Sequence, residues 1–431
     1  MRRRLNKKRT FRSAMALVAA LWVSVLMMAL VSVAAQSSLL DSRISQIENE
    51  KQRSRWACRA GIETAIGLLL VDDRTYDSWV DLWSYNPQEL ENMDFGGVTV
   101  TVEVVDAASK LNVNSATLQQ LLSLPDMTED IAEGILDWID RDDTIRTGGA
   151  ERGYYQNLDY PYLPRNGSTQ TIRELLRVRG ITEGLFSGIS ELETLSVENE
   201  GWLNYLTCVS QESNLDSEGN ERININRANT QSLTQDLGLS EGQALWVTQN
   251  RSFRRLTDMI GQATDTSQGA AQTSQQTPQA AQGGQAQQQS GGQQQQVEPV
   301  PLDAATVLGM ADKITLTNRR SVAGKININT AGLVVLTALF DGNRELAEKV
   351  YSTREGLGGA FIDLSDILMV DGMTQDVMRT YLDRIAIRSS IFEIRATAVS
   401  TVTGLTYRVE AIVNREASQG QVLYWREGID R

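Results

Sequence analysis

Hydrophobic and polar positions fall into four patterns along the chain, and each predicts a different kind of element. The first is residues 15–35, which number 21 and carry no charge. As a helix this run is roughly 31 Å long, about the thickness of a bilayer's hydrocarbon core. Fourteen residues precede it, with seven Lys or Arg and no acid, and such a basic flank stays cytoplasmic. No other run is long and apolar enough to span. A single pass near the N-terminus is expected, with everything from Gln36 onward across the membrane.

The second pattern has a helical period. Leu39, Ile44, Ile47, Ala60, Ile62, Ala65, Ile66 and Leu69 recur at three- and four-residue steps, with Arg43, Glu48, Glu50, Lys51, Arg53 and Arg55 between them. The spacing predicts that the membrane helix continues to about residue 70, first as an exposed stalk and then packed on a domain. The third pattern alternates. Residues 98–105, 384–387, 391–396, 406–413 and 422–425 read as strands, with a hairpin turn at 401–404. Phe392 and Ile394 alternate with Glu393 and Arg395, as in a sheet with one wet face. Strand material therefore flanks a middle region of about 275 residues. One sheet, built from strands far apart in sequence, carries that region as an insertion.

The fourth pattern is a repeat. Leu111-Asn-Val-Asn-Ser-Ala116, Ile223-Asn-Ile-Asn-Arg-Ala228 and Ile326-Asn-Ile-Asn-Thr-Ala331 are three copies of one phrase, each followed by three short helical segments. Side-chain oxygens just before each first helix can cap its free backbone N–H groups. Three small helical modules that pack on one another are expected. Residues 261–301 are rich in Gln, Gly, Ala and Ser and read as a linker between modules two and three.

Composition narrows the function. The chain has 431 residues, is 41% hydrophobic and has a net charge of −13. Loss of the basic leader leaves about −20, which argues against a general nucleic-acid binder. The chain has no His, so the usual general base and the commonest transition-metal ligand are missing. Cys58 and Cys208 are either a disulfide of an oxidising compartment or two unpaired buried thiols.

The densest chemistry is Ile135-Leu-Asp-Trp-Ile-Asp-Arg-Asp-Asp143, followed by Gly148-Gly-Ala-Glu151. Asp137, Asp140, Asp142, Asp143 and Glu151 are candidate ligands for a hard cation such as calcium, which takes six to eight oxygens. The competing reading is a set of helix-ending and turn-capping carboxylates. Paired carboxylates also serve glycosidases, but no second catalytic signature accompanies these. A nucleophile elbow, a phosphate-binding Gly-rich loop and a triad His are all missing. No enzyme is expected.

The apolar run admits three readings: a cleaved signal peptide ending near Val33-Ala34-Ala35, a plain signal anchor, or a prepilin-type leader. Arg12-Ser-Ala-Met-Ala-Leu17 resembles the junction cut in prepilins, with Ala14 where Gly is usual. Cleavage would then fall between Ala14 and Met15 and leave the helix in place. The repeated phrases resemble helix-hairpin-helix modules, which grip phosphate through a Gly-x-Gly hairpin. Here the hairpins read Leu124-Pro-Asp-Met-Thr128, Leu237-Gly-Leu-Ser240 and Phe340-Asp-Gly-Asn343. None is Gly-x-Gly, and two carry Asp.

Together the leader junction, the membrane helix, Asp137-Trp-Ile-Asp140, Gly149-Ala-Glu151, Tyr154-Tyr155, residues 162–167, Glu174-Leu175 with Val178 and Gly180, and Tyr424-Trp-Arg-Glu427 resemble the protein K family of type II secretion systems. The resemblance implies an α+β fold: an N-terminal transmembrane, pilin-like helix with an antiparallel sheet, carrying a large inserted α-helical domain of helix-hairpin-helix or SAM-like modules. It implies a non-catalytic minor pseudopilin of the bacterial inner membrane, bulk periplasmic, partnered by minor pseudopilins I, J and H and the major pseudopilin and processed by prepilin peptidase. It also implies calcium in the α-domain and no nucleic acid. Pilins carry Glu at mature position five, which is Ala19 if Met15 is position one; a subunit without that carboxylate suits a filament's first position. The boundaries that follow are 1–14 leader, 15–35 membrane helix, 36–110 pilin-like helix and first strand, 111–260 modules one and two, 261–301 linker, 302–380 module three, and 381–431 terminal strands. The competing reading is a membrane-anchored helix-hairpin-helix protein that binds DNA.

Overall fold

The computed structural model describes residues 3–188, 199–261, 297–416 and 420–429. One helix, α1 (Arg3–Val71), runs unbroken through both the apolar and the amphipathic patterns. It has no Pro to interrupt it. Residues 15–49 are exposed all round, and the apolar run is the one stretch among the described residues long and apolar enough to cross a membrane. Beyond it, Ser54, Ala57, Cys58, Ile62, Ala65, Ile66 and Leu69 form a buried face.

That face lies on a five-stranded antiparallel sheet. Its spatial order is Met93–Asp94, then β1 (Val98–Asp106), β2 (Ile391–Ser400), β3 (Thr406–Asn414) and β4 (Gln421–Ile429). Val98, Val100, Val102 and Val104 of β1 alternate into the core against α1, as do Phe392, Ile394, Ala396 and Ala398 of β2. Gly61 lets the helix come close, since a Cβ there would fall 2.7 Å from Val102 Cγ2. The hairpin between β2 and β3 turns at Gly404, whose φ is +70°. The α+β expectation is borne out, with β1 and β2 adjacent although the whole middle region separates them in sequence.

The middle region forms a second hydrophobic core that runs continuously from Leu111 to Ile385. Each repeat closes on itself. Leu111–Asn112 pairs in parallel with Leu206–Thr207, Ile223–Asn224 with Ile314–Thr315, and Ile326–Asn327 with Ile385–Ala386. Among the described residues, two helices, a 3-10 turn and a further helix lie between each pair in that order, and repeat one adds a short helix, Arg152–Gln156, before its 3-10 turn. In repeat one these begin with α2 (Leu118–Leu122) and α3 (Glu129–Ile139). The second Asn of each phrase staples the segment before the 3-10 turn. Asn114 exchanges bonds with Thr169, Asn226 with Phe253 and Asn329 with Phe361. Capping falls to later residues, Thr117 in repeat one and Asn229 in repeat two, and the matching helix of repeat three has no side-chain cap.

Two expected boundaries move. Residues 302–315 belong to repeat two, because Ile314–Thr315 closes on Ile223–Asn224 and Gly261 donates to Leu302 O at 2.8 Å. The Gln-rich stretch, mostly outside the described residues, is therefore an excursion within repeat two and does not separate repeats two and three. Residues 384–387, expected in the terminal sheet, instead close repeat three through Ile385–Ala386.

A buried polar joint ties the two cores together. Asp77 follows α1, and Arg415 follows β3. Both side chains are fully buried, and the guanidinium grips the carboxylate at 2.6 and 2.8 Å. Ser389 N–H donates to Asp77 at 2.6 Å, and its hydroxyl donates to Asp106 at the end of β1 at 2.7 Å. Asn327 and Thr330 of repeat three donate to the same Asp106 carboxylate. Burial raises the Asp106 carboxyl above its usual range, and these hydrogen bonds oppose that rise. The Arg415 guanidinium also lies over the Phe392 ring at 5.1 Å.

Candidate cation site in repeat one

Helix α3 starts at Thr128, whose hydroxyl caps Ile131 N–H, and ends at Asp140. Its inward face buries Ile131, Ala132, Ile135 and Trp138. Asp137 lies on that inward face and is fully buried. A glycine pair then brings the chain back beside it. Gly149 admits no side chain, because a Cβ there would fall 1.9 Å from Asp137 Oδ2. Glu151 follows at the start of α4 (Arg152–Gln156) but makes no capping bond. Trp138, Tyr155 and Tyr162 pack edge to face or tilted around the site, with centroids 5.3–6.3 Å apart.

Three of the five acids named from the sequence converge. Ligand oxygens of Asp137, Asp140 and Glu151 all lie within 4.8 Å of one another. Asp142 and Asp143 stand outside that group. Asp142 accepts from Thr144 N–H at 2.8 Å, and Asp143 accepts from Asn166 at 2.9 Å. Glu151 is 5% exposed, and neither carboxylate oxygen has a hydrogen-bond partner. Asp140 Oδ1 and Asn166 Oδ1 are likewise buried and without a partner. Burial, reinforced by the charges of Asp137 and Asp140, pushes Glu151 up to about 7. Among the described residues the cation in contact is Arg146, whose Nη1 is 2.5 Å from Asp137 Oδ1 and 2.6 Å from Asp140 Oδ2.

The donors fit calcium. All are oxygens, three are carboxylates, and oxygens on opposite sides of one calcium ion are about 4.6–5.2 Å apart. One guanidinium does not balance three carboxylates, two of them buried and Asp140 half-buried, and unpaired buried oxygens are costly. A second acidic group, Asp72, Asp77 and Asp81, is already engaged. Arg415 holds Asp77, while Ser78 and Trp83 donate to Asp81.

The two cysteines do not meet, and the disulfide reading is corrected. Both are free. Cys58 on α1 reaches the carbonyls of Ala396 and Tyr407 on the α1 side of the sheet. Cys208 packs near Ile172, Leu203 and Glu393 on the opposite side. The sheet lies between them. Burial pushes both thiols up to about 12, which makes them poor nucleophiles. Met15 and Ala19 are exposed on α1, within the apolar run. Ala14 is helical in backbone, but its side chain lies outside what is described.

Sequence reasoning missed two things. Arg146 sits in an acidic loop nine residues after Asp137, and a lone basic residue there was the available signal. The Asp77–Arg415 pair had no local signal, since 338 positions separate its members.

Comparison with known proteins agrees with the resemblance read from the sequence. Residues 101–194, which contain the whole cation site, match the family model described as type II secretion system (T2SS), protein K. A curated Escherichia coli (strain K12) relative, named as a type II secretion system protein K, is 28% identical over 166 residues. That alignment covers 33% of this chain and 50% of the relative, so the match spans about half the relative's length. The chain also aligns with a chain of the crystal structure of the GspK-GspI-GspJ complex from the enterotoxigenic Escherichia coli type 2 secretion system. The alignment covers 89% of this chain and 99% of that one, at 15% identity and a TM-score of 0.49, too weak a likeness to carry an argument. The family match over residues 101–194 and the motifs read from the sequence point the same way, to a likeness with protein K of the type II secretion system.

Proposed function

We propose that the chain is a minor pseudopilin that starts and caps the periplasmic pseudopilus of a type II secretion system. It would act without catalysis, alongside minor pseudopilins I, J and H and the major pseudopilin. The observation that carries this reading is where the repeats are inserted. They leave the sheet after Asp106 and return before Ile391, two positions at one end of the β1–β2 pair. The same end holds the C-terminus of α1, where Asp72 lies 3.5 Å from Arg415. Residues 36–71 of α1 extend roughly 54 Å beyond the membrane run. The bulky domain is thus at the end of the helix far from the membrane, where it would block any subunit stacking above. The hairpin position Asp341 is held by Arg384 at 2.9 Å, so an anion and not a phosphate donor stands there, which weighs against DNA.

The basic flank supports a cytoplasmic N-terminus with the domains in the periplasm. Processing by prepilin peptidase is expected between Ala14 and Met15. N-terminal sequencing of the mature protein should begin at Met15, and a start at Gln36 would show ordinary signal-peptide removal instead.

Ala19 suits the first position in a filament. A carboxylate inside the bilayer costs up to about 2.5–3.5 kcal/mol on insertion scales, the value at the helix centre, unless it finds a partner. A starting subunit has no predecessor to supply one. Ala19→Glu should therefore impair pseudopilus initiation while cleavage and membrane insertion proceed. Filament counts equal to those of the native protein would refute the electrostatic account and leave the bulk of the repeats to explain tip placement.

Asp137, Asp140 and Glu151 are proposed to hold calcium. The ion would supply the positive charge that the buried carboxylates lack, and would fix the loop of residues 141–150 against α3.

A further inference from the structure

We infer that Arg146 is a built-in competitor for the cation in this site, holding the carboxylates when calcium is absent and setting how tightly calcium binds. The inference rests on the calcium reading above. Arg146 spends its Nη1 on one oxygen each of Asp137 and Asp140, and its backbone N–H donates to the other Asp137 oxygen at 3.2 Å. Both Asp137 oxygens are thereby engaged, whereas Asp140 Oδ1 and both oxygens of Glu151 have no partner. Arg146 thus engages Asp137 fully, Asp140 through one oxygen and Glu151 not at all. A guanidinium and a divalent ion sharing these carboxylates would repel each other strongly at this range.

The geometry also gives Arg146 an exit. Its side chain is 38% exposed while that of Asp137 is fully buried. It reaches in from the surface and can swing out without opening the core. When it leaves, calcium takes over the charge balance of Asp137. When calcium leaves, Arg146 prevents Asp137 from remaining a buried, unpaired charge, which would be strongly destabilising. A residue that only braced the loop would support calcium binding. A competitor opposes it. The two roles predict opposite effects on affinity.

Isothermal titration of the full chain in detergent with calcium chloride distinguishes them. Arg146→Met should bind calcium about tenfold more tightly than the native chain. It should also melt lower without calcium and gain more from calcium. Arg146→Lys, which keeps the charge but not the fork, should fall between the two; it decides the matter if the Met variant does not fold. Equal or weaker affinity in the folded variant would overturn the inference and leave the calcium reading standing. Glu151→Gln leaves the Arg146 contacts in place and should abolish binding. If neither the native chain nor Arg146→Met binds calcium, both readings fail. Binding by Arg146→Met alone would support the competitor role in its strongest form.

Discussion

Asp77→Ala is expected to destabilise the folded chain by about 3–5 kcal/mol, among the larger effects available to a single substitution. The reason is what it leaves behind. Arg415 is fully buried, and Asp77 supplies both of its short carboxylate contacts. Without them the guanidinium keeps Ser389 O at 2.9 Å and a longer approach to Asp72 at 3.5 Å, too little to balance a charge out of water. The backbone contact of Asp77 with Ile387 survives, and the losses are the stranded guanidinium charge and the acceptor of Ser389 N–H, not a broken chain path. The double variant Asp77→Ala/Arg415→Met should recover much of the stability, because it removes the stranded charge and keeps apolar volume over Phe392. Denaturant unfolding of the full chain in detergent, followed by tryptophan fluorescence, measures both. If the double variant is as unstable as the sum of the two singles, the pair acts through packing and not through charge.

Calcium at one hundred times its dissociation constant should stabilise the chain by about 2.7 kcal/mol, visible as a rise of several degrees in melting temperature. Glu151→Gln should abolish that rise, because Glu151 brings a carboxylate oxygen into the cluster and both of its buried oxygens are without a partner. Asp140→Asn should reduce it severely. Asp142→Asn should leave it nearly intact, since Asp142 is occupied with Thr144 outside the cluster. This ordering separates a built site from a general response of an acidic protein to divalent ions, in which the exposed carboxylates would matter as much as the buried ones. A melting curve identical in millimolar calcium and in chelator would remove calcium from the account.

What could be read from the sequence depended on how local the physics was. Helix α1 was legible because its period is written in adjacent turns. Strands β1 to β4 were legible because their alternation is written in neighbouring residues, and the Val98 to Val104 series is buried as its pattern requires. The three Asn phrases were legible as repeats, but their role as staples was not, since Asn114 acts on Thr169 across 55 positions. Ile385 and Ala386 looked like the start of the terminal sheet because two apolar residues carry no record of which partner they take. The Gln-rich stretch reads as a module boundary because the short helix after it, Ala304–Gly309, resembles a beginning as much as an end. The acid cluster was legible in composition. Which carboxylates turn inward depends on the glycine pair beside Asp137, and that is a matter of chain path. The disulfide was ruled out only when the sheet was seen to separate Cys58 from Cys208.

The proposal of a pseudopilus tip subunit is tested most directly by co-purification. The full chain, co-expressed with minor pseudopilins I, J and H and extracted in mild detergent, should elute with I and J in one complex on size exclusion. The complex should persist in salt that disrupts non-specific ionic contacts. If the chain elutes alone while I and J remain together, and instead binds duplex DNA in a salt-dependent manner, the tip assignment is wrong and the helical repeats serve nucleic acid.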